Sequence, residues 1–93
     1  MKNFEEMTAL EMFEYLGWKK LKTTNPSYNA LIMYQRKTPQ HIQRITFDVK
    51  NKKISFDCLD DNYVIKDIPM YLDMMHFKAI HEQLVELVLY ESK

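Results

Sequence analysis

Arg44-Ile-Thr-Phe-Asp-Val-Lys-Asn-Lys-Lys-Ile-Ser-Phe-Asp-Cys58 holds two runs in which apolar and polar residues alternate. Successive side chains of a β-strand point to opposite faces, which predicts Ile45, Phe47 and Val49 inward, with Thr46 and Asp48 outward. The second run repeats the pattern, placing Ile54, Phe56 and Cys58 inward and Ser55 and Asp57 outward. Only Asn51-Lys52-Lys53 separates the runs, far too little chain for a crossover, so the two strands form an antiparallel hairpin. The polar outward set predicts a sheet with one wet face.

Further strands flank the hairpin. Tyr28-Asn-Ala-Leu-Ile-Met-Tyr34 carries Tyr28, Ala30, Ile32 and Tyr34 on one face and Leu31 and Met33 on the other. Before it, Trp18-Lys-Lys-Leu-Lys22 reads as a short strand with basic outward positions, followed by a turn at Thr23–Ser27 signalled by Asn-Pro. Lys37-Thr-Pro-Gln40 breaks the Tyr28 strand. After the hairpin comes a turn at Asp60-Asp61-Asn62 and a strand over Tyr63–Lys66, and Pro69 keeps Asp67–Leu72 off a central strand position.

A helix is expected at each end. Thr8 with Glu11 three residues on has capping-box spacing, and Met7 with Met12 fits a hydrophobic staple. Ala9, Met12, Phe13 and Leu16 share one helical face, and Gly17, the only glycine, supplies the left-handed residue that ends the helix and lets Trp18 fold back onto Phe13. Asp73 caps a second helix from about Met74 to Tyr90, with Phe77, Ile80, Leu84, Leu87 and Val88 on its predicted apolar face. The expected architecture is one domain over residues 1–93. It is a two-layer α+β fold with an N-terminal helix, an antiparallel sheet of about four strands and a C-terminal helix, both helices on one sheet face.

Composition narrows the function. Hydrophobic residues are 46% and charged residues 28%, an ordinary globular balance, and the net charge of zero speaks against a dedicated nucleic-acid binder. The charge is unevenly spread. Residues 1–53 carry ten Lys/Arg and five Asp/Glu, while residues 54–93 carry three and eight, a split that fits a dipolar surface, a head-to-tail contact between copies or, as the favoured reading, halves that intermix on folding with charges that only solubilise the chain. A lone Cys58, no apolar signal region at the start and no run near the ~20 apolar residues of a membrane span predict a soluble, cytoplasmic protein.

No chemistry-bearing constellation emerges. His81-Glu82 opens like a zinc-protease helix, but Val85 stands where the second histidine is required, and His76 and His81 do not share a helical face. Asp57, Asp60 and Asp61 lack calcium-loop spacing, and one glycine cannot build a phosphate-cradling loop. Cys58 sits in an apolar strand pattern with no paired histidine. The expectation is a non-enzyme with no metal or cofactor. The residues left over once each element has used one face on the core are Leu31, Met33, Leu59, Val85, Leu89 and Tyr90, which are the candidate partner-binding set. The alternative is a nucleic-acid accessory protein using Lys19, Lys20, Lys22, Lys50, Lys52 and Lys53.

Two segments resemble a known group. Thr8-Ala-Leu-Glu-Met-Phe-Glu-Tyr-Leu-Gly-Trp18 resembles the Met-Thr-Ala-x-Glu-Met-Phe-Glu-x-Leu-Gly-Tyr opening of small uncharacterised phage and prophage proteins of Gram-positive bacteria. Phe77-Lys-Ala-Ile-His-Glu-Gln-Leu-Val-Glu-Leu87 is similar to their last helix. The chain departs from the pattern with seven residues before Thr8 and with Val88-Leu89 in place of a Gly-aromatic ending. The resemblance implies an α-strands-α fold and a phage setting, with no catalytic residue to carry over. In that setting the expected partner is a bacterial host protein, a CRISPR effector being one candidate, with a homodimer as a further possibility.

Overall fold

The computed structural model describes residues 2–22 and 31–91, the side chains of 88–91 excepted. The expected turn at Thr23–Ser27 and the first part of the Tyr28 strand lie outside those residues. The chain is α+β and falls into two compact units, a helical one from Met1–Gly17 with Leu72–Lys93 and a sheet one over Trp18–Tyr71.

In the sheet unit, β1 (Lys19–Lys20), β2 (Leu31–Lys37), β3 (Ile42–Asp48), β4 (Lys53–Leu59) and β5 (Ile65–Lys66) follow one another in an antiparallel meander. The sheet thus has five strands where the sequence suggested about four, because two-residue strands close both edges. Register places Tyr34, Ile45 and Phe56 in one row and Ile32, Phe47 and Ile54 in the next, on the same face. Tyr34, Ile45 and Phe47 are buried, and the Tyr34 and Phe47 rings meet edge to face at 6.2 Å. Phe56, expected inward with them, is 46% exposed. It lies on the expected face, but along that row burial is complete on β2 and β3 and is lost at β4.

The opposite face mixes polar side chains with the half-buried Leu31 and Met33. Arg44 donates to Gln35 Oε1 (2.7 Å from Nη2), and its guanidinium lies 5.9 Å from the Tyr63 ring centre. At one end of this face Ile42 stands opposite Leu59, and both are buried. Each extends its strand beyond the predicted run.

The turns are held by side chains acting on backbone. Asp48 accepts from the Asn51 backbone N–H (3.1 Å) and side-chain amide (2.9 Å), which rounds the β3–β4 loop and leaves Lys52 in the left-handed region at φ 56°. Asp60 Oδ1 accepts from the N–H groups of Asn62 and Val64, with Tyr63 at φ 62° between them.

In the helical unit, a 3-10 turn at Phe4–Glu6 precedes α1 (Ala9–Tyr15). The capping box forms as predicted. Thr8 Oγ1 accepts from the Glu11 N–H at 3.2 Å, and Glu11 accepts from the Thr8 N–H at 3.0 Å. Gly17 follows at φ 94°. The Ala9 N–H, one of the donors that a helix start leaves without an internal partner, is taken at 2.7 Å by the Glu86 carboxylate of α2 (Met74–Glu91). α2 therefore stabilises the start of α1.

Candidate interaction site

The α2 helix carries the site. Its cap is Asp73, whose Oδ1 accepts from the His76 N–H at 3.1 Å and contacts His76 Nδ1 at 2.7 Å. These bonds hold the Asp73 carboxyl below its ordinary pKa, the imidazole contact contributing most. His76 is buried, at 5% exposure, with Nδ1 against the Asp73 carboxylate.

That bond helps set which way the helix faces. His76, Ala79, Ile80 and Gln83 are buried, a polar-apolar mixture at helical spacing. The predicted apolar face included Phe77 and Leu84. Phe77 is instead 56% exposed and Leu84 39% exposed, joined on the open side by Met74 at 75% and Val85 at 36%. Helices with one buried seam usually leave polar residues outside. Here the open side carries three apolar residues, Met74, Phe77 and Leu84, with His81 in the same stripe, at intervals of three, four and three residues. That spacing matches one seam of a coiled coil.

Between this stripe and α1 lies a shallow groove of about 320 Å³. Met12, Met74 and Phe77 provide its apolar lining, and His81 stands beside them. Two charged groups frame it. One is the Glu5–Lys78 ion pair at 2.8 Å, which together with hydrogen bonding lowers the Glu5 pKa. The other is Glu82.

The predicted partner-binding residues scatter. Val85 is exposed beside the stripe. Leu31 and Met33 are only half-buried on β2. Leu59 is 3% exposed, sealed against Ile42 across the β3–β4 pair, and offers no surface. The side chains of Leu89 and Tyr90 lie outside the described residues. Sequence reasoning placed Phe77 and Leu84 in the core, because an apolar residue at helical spacing reads as core, and gave Met74 no role beyond opening the helix. The signal that could have found them was the pair His76 and Gln83, polar residues seven apart on the face that is buried.

The six lysines of the alternative reading are all exposed. The Leu21 N–H donates to the Met33 carbonyl, so Lys22 lies toward the sheet end closed by the β3–β4 loop, where Lys50, Lys52 and Lys53 also sit. Lys19 and Lys20 stand further along the β1 edge. A second apolar surface, Tyr63, Val64 and Ile65, follows the β5 edge.

Among the described residues no three His, Cys, Asp or Glu side chains come together as a metal-binding group. The Cys58 thiol is buried, and burial, with the Asp57 charge behind it, pushes its pKa up, away from the reactive thiolate. No helix among the described residues is long and apolar enough to cross a membrane. No known protein family, curated protein or solved structure matches the chain.

Proposed function

We propose that this chain is a non-enzymatic interaction protein that binds another protein through the open side of α2. In the phage or mobile-element setting that its two helical segments resemble, the bound protein belongs to the bacterial host, and a defence nuclease such as a CRISPR effector is the target class to try first. The observation that carries the reading is the exposure of Phe77 at 56% within a run of apolar neighbours on one helix side. Single exposed apolar residues are common, whereas a contiguous set on one element usually marks a contact surface. The groove floor of Met12 and Met74 adds methionines, whose flexible thioethers adapt to a partner's shape.

The experiment compares the tagged wild-type chain with Phe77→Asp, both expressed in a bacterial host and assayed for interference by its defence system. The reading predicts a stoichiometric partner that the wild type retains and the variant loses, with the loss of any effect on defence. A partner retained equally by both would refute the α2 assignment.

A second reading has its own observation. Four exposed lysines gather at one end of the sheet, a placement suited to a phosphate backbone. Gel shifts across a salt series test it. Binding that weakens steeply with salt and is lost on replacing Lys50, Lys52 and Lys53 by Glu supports it, and no shift at low salt eliminates it.

A further inference from the structure

Charge also divides unevenly between the two structural units. The helical unit holds three Lys/Arg and eight Asp/Glu, a net charge of −5, while the sheet unit holds ten and five, a net charge of +5. Within the helical unit the cations Lys2 and Lys78 are already engaged, by Glu11 at 3.0 Å and Glu5 at 2.8 Å. Among the described residues, Glu82 on the groove rim and Glu14 on the exposed side of α1 form no ion pair, Lys78 being held by Glu5. The apolar stripe that faces solvent is thus flanked by a carboxylate, Glu82, that forms no ion pair among the described residues.

From this we infer that the α2 groove takes a basic amphipathic helix of another protein. The inference rests on the proposed role of α2 as the binding surface and adds the chemistry of the partner. Each half of the occupant answers a feature of α2. Met74, Phe77, His81 and Leu84 repeat at three and four residues, the spacing that a second helix's apolar side chains can interleave. The flanking Glu82 and the net charge of −5 favour lysines and arginines on that helix's polar sides and disfavour an acidic one. A long cationic side chain also suits the rim, since its stem packs on apolar lining while its head reaches the carboxylate.

The test uses the full chain, isotope-labelled, and two synthetic amphipathic helices with the same leucine stripe, one bearing lysines and the other glutamates on its polar sides. The lysine peptide is expected to shift the resonances of Met12, Met74, Phe77 and His81. Phe77→Asp should weaken it about tenfold or more, as for a central apolar anchor, and Glu82→Lys should weaken it severalfold. Leu84→Asp repeats the apolar test if Phe77→Asp does not fold. The glutamate peptide should leave these resonances unmoved. Equal binding of both peptides at the stripe overturns the charge inference while leaving the α2 surface standing. Shifts that fall only at exposed carboxylates away from the stripe, or no shifts at all, overturn the groove as the docking place. Concentration-dependent shifts of the same residues without peptide would mean that a second copy covers the stripe, which also overturns the inference.

Discussion

Replacing Phe77 and Ile80 separately by alanine gives opposite expectations from the hydropathy pattern and from the structure. Both are apolar residues of α2, three apart, and the pattern places both in the core. A fully buried Phe→Ala change costs about 3–5 kcal/mol and an Ile→Ala change about 2–5 kcal/mol. Phe77 keeps 56% of its surface exposed, so less than half of the usual contact is lost, and about 1.5–2 kcal/mol is expected. Ile80 is 8% exposed and should cost about 2–4 kcal/mol. Urea unfolding followed by far-UV circular dichroism measures both, with midpoints compared at unchanged slope. In thermal unfolding, each kcal/mol should move Tm by about 4–8 °C in a chain of this size. A loss of 3 kcal/mol or more for Phe77→Ala, or a smaller loss for Ile80→Ala than for Phe77→Ala, would refute the facing of α2 on which the interaction surface depends.

Other substitutions test the local devices. Thr8→Ala removes one side of the capping box and should lower stability by about 1 kcal/mol, read from the same urea curves, and an unchanged midpoint would discount the cap. Lys52→Gly relieves a left-handed lysine at φ 56° and should stabilise the chain by about 0.5 kcal/mol, because the strain removed exceeds the added freedom of the unfolded chain. A loss of stability would mean that the Lys52 side chain contributes more than its backbone costs. Asp73 has a lowered folded pKa, so its contribution is complete above the unfolded value of about 3.9 and fades as pH falls through the lower folded value. Wild type should therefore exceed Asp73→Asn in stability at neutral pH, and the gap should narrow below about pH 4. A gap constant from pH 7 to pH 2 would remove the carboxylate from the account.

The parts of the fold legible in the sequence were those decided by neighbours in the chain. Thr8, Glu11 and Gly17 close α1 by contacts within one or two turns, and the predicted geometry is the one found. The β3–β4 hairpin is equally local, and its antiparallel pairing is the one found, with the register that sets Ile45 against Phe56 supplied by the structure. Its ends were less legible, since Ile42 and Leu59 are apolar at outward positions and become buried only because register sets them side by side. The candidate site was least legible. Periodicity can place an apolar stripe on a helix but cannot say which of two stripes is covered. In α2 the bond from His76 to Asp73 makes a polar residue compatible with burial, and Phe77 is left outside. The lysine set was readable residue by residue, but its gathering at one sheet end follows from the strand order.

The most direct test of α2 as the binding surface is the affinity of the purified host partner for three forms of the chain: wild type, Phe77→Asp and Phe56→Asp. Phe77 and Phe56 are exposed phenylalanines of similar accessibility in different structural units, so general stickiness would affect both alike. Calorimetric titration should show at least a tenfold loss for Phe77→Asp, as for a central interface anchor, and no change for Phe56→Asp. Equal losses for the two variants, or a loss confined to Phe56→Asp, would contradict the account.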